Sequence, residues 1–302
     1  MDDKLNTERA ADLPKLDRYL VLAGGFLGWL FAGMEMGIMP LVSRAVSKDL
    51  MGGAYNEAVA GQWFAWYSVA FLLGAAFGGL LFGWIGDRVG RARAMGWSIL
   101  CYSALAGAGY FVRTQEELLV LRFLASLGIG GMWPCGVSLV SEFWADVSRP
   151  MLAGLLGTSA NVGVLLMGVI GSSVDVTPAS WRWIMLVGTA PALLGLFALL
   201  AVRESPHWLA ARSVNNAQKP AAPISEVFRP PLLRLTVIGI CLGTIPLLGA
   251  WGSGKFLVPW ADSFSGANPG YKAITQAIWA GGAALGSLLG GRLANLLGRR
   301  LA

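Results

Sequence analysis

Eight long apolar segments, separated by short polar stretches, set the pattern of this chain of 302 residues. Each segment is apolar on all sides, and ~20 such residues are enough to cross the ~30 Å hydrocarbon core of a bilayer. Backbone groups in lipid must be hydrogen-bonded within the protein, so each segment is predicted to be a transmembrane helix. The predicted spans are Tyr19–Leu41, Trp63–Phe82, Ala94–Val112, Leu118–Phe143, Met151–Val174, Trp181–Val202, Leu235–Trp260 and Ala273–Leu293.

The composition also indicates a membrane protein, because 55% of the residues are hydrophobic and only 13% are charged. A soluble domain carries about 25% charged residues. The formal net charge of +6 suits a bilayer with anionic lipids and predicts no nucleic-acid partner. Of the 23 Lys and Arg residues, 16 lie in the N-terminal tail, in the loops after the second, fourth and sixth spans and at the end of the chain. This distribution predicts an integral protein of the inner membrane with a cytoplasmic N-terminus.

A short basic connection joins the second and third spans. Its two glycines, Gly83 and Gly90, are predicted to let the backbone turn. Asp87 is predicted to lie beside the start of the third helix, where the helix dipole favours an acid. The same glycine spacing returns at Gly291 and Gly298, at the end of the last span. A hairpin repeated in the second half of a membrane protein is typical of a duplicated transporter.

The first connection resembles the signature G-x-x-x-D-R-x-G-R of the major facilitator superfamily, which joins spans two and three and recurs between spans eight and nine. In the second copy Asn295 and Leu296 replace the acid and the base. The resemblance implies that the signature residues, together with Glu142 and Arg149, form an inner gate. The signature residues are Gly83, Asp87, Arg88, Gly90 and Arg91 in the first copy, and Gly291, Gly298 and Arg299 in the second.

Two shorter stretches resemble particular branches of that superfamily. Arg203-Glu-Ser-Pro-His-Trp-Leu209, after the sixth span, is similar to the P-E-S-P-R-W-L sequence of sugar-porter-like members, with Arg203 in place of the first proline and His207 in place of the arginine. Ala32-Gly-Met-Glu-Met36, in the first span, resembles the D-G-x-D segment of aromatic- and organic-acid:proton symporters, with Ala32 in place of the first acid.

The resemblance implies an all-α polytopic fold with four parts. These are a cytoplasmic tail over residues 1–18, an N-terminal six-helix bundle over 19–202, a cytoplasmic linker over 203–234, and the first two helices of a C-terminal bundle over 235–302. A duplicated fold of this kind has six helices in each half. We therefore expect a fragment that ends after span eight, and a natural eight-span protein is the alternative.

Two buried charges are the leading candidates for proton coupling. Glu35 is the only acid within the first predicted span, and burying such a group costs ~3 kcal/mol or more. Arg122, near the start of the fourth span, is expected at a similar depth in the outer third and is the predicted partner. An arginine beside a carboxylate favours its charged form. Separating the pair would thus allow Glu35 to bind a proton, and re-forming the pair would release it. The alternative is that the two residues form a purely structural ion pair.

Four further residues are predicted to bind substrate. Lys255, at the same depth in the seventh span, is suited to an anionic group, although a lysine there also reaches the outer interface readily. Asn161 in the fifth span offers hydrogen bonds within the cavity. Trp133 and Gln276 are expected to line that cavity, with a lipid-facing or packing role as the alternative for each.

The chain contains no sequence typical of an enzyme. It has no phosphate-binding loop, nucleophile elbow or cluster of metal ligands, so neither catalysis nor a cofactor is predicted. The leading function is proton-coupled symport of a small organic or aromatic acid by alternating access, with substrate, protons and the bilayer as partners. A sugar or sugar-acid transporter is one alternative. A membrane sensor that kept the fold without transporting is the other.

Overall fold

A computed structural model describes residues 14–206, 208–210, 224–264 and 270–298, and these residues form helices joined by short turns. The first thirteen residues of the predicted tail, much of the predicted linker and Arg299 lie outside the described residues. The helices are α1 Lys15–Met51, α2 Glu57–Val89, α3 Arg91–Ala108, α4 Gln115–Phe143, α5 Arg149–Ser173, α6 Trp181–Val187, α7 Ala192–Ala201, α8 Leu232–Phe264 and α9 Gly270–Leu296.

The helices connect two ends of the protein. The N-terminal face holds the start of α1, the turn at Gly90, the connection between α4 and α5, and the end of α9. The opposite face holds the connection between α1 and α2, that between α3 and α4, the end of α8 and the start of α9. Both copies of the repeated hairpin lie at the N-terminal face, as a duplicated transporter requires.

Seven segments of the described chain are long and apolar enough to cross a membrane. The predicted span that is not among them is the third, which corresponds to α3. That helix begins with arginines and is rich in small residues, so its hydropathy is lower. Its 18 residues extend about 27 Å at ~1.5 Å per residue, and a turn of 3₁₀-helix follows. The predicted sixth span is interrupted after Val187, and α6 and α7 form its two parts.

Several helices continue beyond their predicted bounds, because hydropathy reports only their apolar parts. Thus α1 reaches Met51 rather than Leu41. Gly83 lies inside α2, and the prediction that it allows a turn is wrong. The turn between α2 and α3 is a single residue, Gly90, with φ of 112°.

Two close helix crossings organise the first six spans. Where α1 crosses α5, Gly33 faces the carbonyl group of Ala160 and Gly163 faces that of Leu30. A Cβ atom on either glycine would clash with the opposing backbone, so small residues set the approach of these helices. The crossing of α2 and α4 repeats the arrangement, with Gly78 against Leu127 and Gly130 against Ala75. The matching pairs agree with an internal three-plus-three repeat.

The last two helices pack against this bundle along one side. α9 follows α5, with Gly154 beside Gly291 at the N-terminal face and Gly168 beside Ala277 further along. α8 contacts α9 and the second half of α1. The fold is that of a six-helix bundle with part of a second bundle.

Candidate functional site

Glu35 of α1 and Arg122 of α4 form an ion pair inside the bundle. Only 1% of Glu35 and 5% of Arg122 is exposed, so the charges have left water almost completely. Their position explains the pairing, because they lie between an apolar cluster nearer the N-terminal face and a second cluster nearer the opposite face. The predicted contact is therefore present, while its role in proton coupling stays a prediction.

The ion pair leaves part of each group without a protein partner. The second carboxylate oxygen of Glu35 and the Nε atom of Arg122 are buried, and neither has a hydrogen-bond partner in the described part of the chain. The interruption between α6 and α7 makes room there, since a Cβ on Gly188 would lie 3.0 Å from that free oxygen. A carboxylate with one paired and one unpaired oxygen retains a position at which a proton can bind.

Lys255 of α8 is the third charge at this level. Its amino group donates a hydrogen bond to the carbonyl of Met36, 2.5 Å away, and lies 5.5 Å from the centre of the Phe71 ring. The alternative that this lysine reaches the membrane interface is therefore wrong. Since Met36 follows Glu35 in α1, the site combines two cations and one carboxylate.

A cavity of about 20 Å³ lies between the two cations. That volume accommodates roughly one water molecule. Its walls come from α1, α2, α4 and α8, and are formed by Met39, Pro40, Phe64, Tyr67, Ser68, Phe71, Arg122 and Lys255. Because α8 belongs to the partial second bundle, the cavity enlarges if that bundle moves away from the first.

The other predicted substrate residues lie elsewhere. Asn161 donates to the hydroxyl of Ser287, 3.1 Å away, and thus joins α5 to α9. Gln276 is buried and donates to the carbonyl of Val164 at 3.2 Å. Trp133 packs against Trp29 with ring centres 5.1 Å apart. None of the three predicted residues lines the cavity beside Arg122.

At the N-terminal face, the first hairpin is held by a carboxylate that the sequence did not indicate. The side chain of Glu204 accepts hydrogen bonds from the backbone nitrogens of Arg91 at 2.7 Å and Ala92 at 3.1 Å. It therefore caps α3, whereas Asp87 lies in the last turn of α2 and its favourable interaction with the start of α3 stays a prediction. Gly90 is required here, because a Cβ atom would enter the carboxylate of Glu204.

The other gate candidates divide into a paired and an exposed group. Arg91 forms an ion pair with Glu142, which also accepts a hydrogen bond from the Ser205 hydroxyl. Arg88 lies over the ring of Trp84 at 4.0 Å. The Asp87 side chain and Arg149 are exposed, and the structure shows no ion pair for either within its described ranges.

The second hairpin repeats the glycines of the first, with Asn295 and Leu296 in place of Asp87 and Arg88. Gly291 lies within α9 as Gly83 lies within α2, and Gly298 has a φ of 79°. Asn295 makes hydrogen bonds of 3.0 and 3.2 Å with the hydroxyl of Ser148. A neutral contact thus connects this hairpin to the first six spans.

Comparison with known proteins gives a family and a fold. Residues 21–302 match the Major Facilitator Superfamily. The chain is 26% identical over 284 residues to a putative metabolite transport protein of Haemophilus influenzae, covering 92% of this chain and 68% of that protein. It is 27% identical to the putative niacin/nicotinamide transporter NiaP of Bacillus subtilis, covering 72% of this chain and 52% of that protein.

Among solved structures, the crystal structure of a D-xylose-proton symporter is similar with a TM-score of 0.65. The match covers 92% of this chain and 67% of that one at 18% identity, which shows the fold alone. The chain thus spans about half to two thirds of the length of these proteins.

Proposed function

The chain belongs to the Major Facilitator Superfamily, and from that membership we propose that it works as a secondary transporter that carries a small organic acid together with a proton. The observation that carries this proposal is the buried pair of Glu35 and Arg122 with Lys255 beside it. Ionisable groups within a membrane are costly and mark substrate or proton pathways. Two cations facing one carboxylate leave an excess positive charge for an anionic substrate.

The proposed coupling uses this charge balance. With Glu35 ionised, Arg122 is paired; with Glu35 protonated, Arg122 and Lys255 both face the incoming carboxylate. Proton binding and anion binding therefore support each other at one site. One relative is named as a putative niacin/nicotinamide transporter, one as a niacin transporter and one as a sialic acid transporter. Niacin and sialic acid are carboxylic acids, which supports this substrate class.

We assign the parts of the transporter accordingly. The N-terminal face is the cytoplasmic side of an inner membrane, where Arg91, Glu142 and Glu204 steady the gate. Residues 19–202 form the N-terminal bundle, 203–234 the linker, and 235–302 the part of the C-terminal bundle that carries Lys255. Alternating access is then the movement of α8 and α9 relative to the first six spans.

A sugar or sugar acid is the second candidate, favoured by Gln276. Its Oε1 atom is buried and accepts no hydrogen bond from the part of the chain that the structure describes. A substrate hydroxyl would satisfy that acceptor if α5 and α9 separated. The charged cavity favours an acid over a neutral sugar, since a neutral sugar carries no charge to pair with the two cations.

The test compares two transport modes in vesicles containing the transporter, with radiolabelled niacin as the probe. Glu35→Gln resembles the protonated state, so it should retain exchange of external for internal niacin and lose accumulation driven by a proton gradient. Glu116→Gln, which removes an exposed acid at the start of α4, is the matched control and should accumulate normally. Full accumulation by Glu35→Gln would refute proton coupling through this residue.

A further inference from the structure

A set of charges at the opposite face joins the two parts of the protein. Arg44, near the end of α1, donates a hydrogen bond of 2.8 Å to the backbone carbonyl of Asp262, near the end of α8. Its guanidinium also lies 3.3 Å from the carboxylate of that residue. Lys272, at the start of α9, approaches the same carboxylate at 3.7 Å. Arg44 reaches back to Glu57 of α2 at 2.8 Å.

These groups are shielded where they cross between the bundles. The exposed fraction of the side chain is 24% for Arg44, 13% for Asp262 and 6% for Lys272. Partly buried charges are screened by salt much less than fully exposed ones. Glu57, which belongs to the first bundle, is the most exposed member at 54%. The strongest shielding therefore coincides with the contact between the bundles.

A second contact joins α1 and α8, between Lys255 and Met36, and it lies nearer the cavity than the contact between Arg44 and Asp262. Lys255 and Asp262 are seven residues apart on α8, which is two helical turns and returns to the same side. On α1 their partners, Met36 and Arg44, are separated by a similar rise. Together the two contacts fasten α8 to α1 from the cavity to the opposite face.

We propose that Arg44, Asp262 and Lys272 form a clasp that holds the two bundles together at the opposite face and closes the cavity on that side. The clasp rests on the proposed function only in taking the bundles to separate during transport. Asp262 is its centre, because it receives a cation from each bundle. Without the charge of Asp262, Arg44 keeps its ion pair with Glu57 in the first bundle and Lys272 stays in the second bundle. The ion pair between the bundles is then lost.

A second ion pair at the same face supplies a matched control. Arg182 pairs with Asp49, and Trp181 donates to the same carboxylate at 3.0 Å. Those residues join α1 to α6, so the pair lies entirely within the first six spans. Breaking it removes an ion pair from the opposite face without releasing α8 or α9.

The test measures distances between spin labels by pulsed electron paramagnetic resonance, on the full chain without its native cysteines. Labels at Gly53→Cys and Tyr271→Cys report the separation of the bundles, since one site has open space and the other is exposed. Asp262→Asn should raise the long-distance population several-fold. Asp262→Glu and the control Asp49→Asn should leave the distribution close to that of the parent chain.

Two results would overturn the clasp: an unchanged distribution in Asp262→Asn, or an equal shift in Asp49→Asn. Labels at Gly53→Cys and Ser173→Cys report the first bundle alone. If Asp262→Asn alters that distance too, the charges support folding generally and the proposal is wrong. Proton coupling through Glu35 has no part in these distances, so the clasp and the proposed function fail separately.

Discussion

The two faces of the protein use charged side chains differently. At the opposite face, Arg44 and Asp262 make an ion pair between the bundles. At the N-terminal face, the described residues place a neutral hydrogen bond between the bundles, from Asn295 to Ser148, and the ion pair of Arg91 stays within the first bundle. The two bundles therefore meet through a charged contact at the opposite face and through a neutral one at the N-terminal face.

The cavities follow the same division. Between α1, α5 and α9, near the N-terminal face, lies an apolar cavity of about 520 Å³ with Leu22, Leu152 and Leu289 among its walls. The cavity beside Arg122, closer to the opposite face, measures only about 20 Å³. The larger space thus lies towards the N-terminal face and the smaller one towards the opposite face.

The largest expected effect on stability comes from disrupting the turn at Gly90, at the N-terminal face. Gly90→Ala places a side chain at φ of 112° and against the carboxylate of Glu204, so we expect a loss on the order of 2 kcal/mol or more. The thermal unfolding midpoint in detergent measures it. Gly83→Ala is the control, because Gly83 is helical with open space around it. Equal midpoints for the two variants would contradict a special turn at Gly90.

A smaller effect is expected from the cap of α3. Glu204→Gln keeps the shape of the side chain but removes the negative charge of the carboxylate that accepts two backbone hydrogen bonds. The loss of this charge at the start of α3 should cost ~1 kcal/mol of stability. Asp87→Asn changes an exposed acid and should cost less. The same unfolding measurement ranks them, and the reverse order would show that Asp87 carries the stabilising charge after all.

The smallest effect should come from adding charge to the contact between the bundles at the N-terminal face. Asn295→Asp restores an acid beside Ser148, next to Arg149 in the chain, and such an exposed pair contributes ~0–1 kcal/mol. Spin labels at Arg93→Cys and Leu296→Cys should show a modest shift to shorter distances. Asn295→Ser, which adds no charge, is the control. A shift as large as that of Asp262→Asn would remove the contrast between the faces.

Sequence patterns predicted the features that depend on local chemistry. Seven of the eight predicted spans follow from apolar length, and the contact between Glu35 and Arg122 follows from two costly charges expected at one depth. Glu204 could not be assigned to α3, because its segment folds back from more than a hundred residues away. Arg44 and Asp262 were missed because charges near helix ends are ordinary in membrane proteins, and only the packing of α8 on α1 gives them a shared role.

The single-residue turn at Gly90 also has a consequence for biogenesis. α3 is the least hydrophobic of the predicted spans in the described chain. Its one-residue connection to α2 is too short for α2 to insert into the membrane while α3 remains outside. The two helices must therefore be delivered to the lipid as one unit, with the hydropathy of α2 supporting insertion of both. Lengthening the turn with a flexible insert should leave α3 untranslocated in part of the molecules, which a glycosylation site placed after α3 would report.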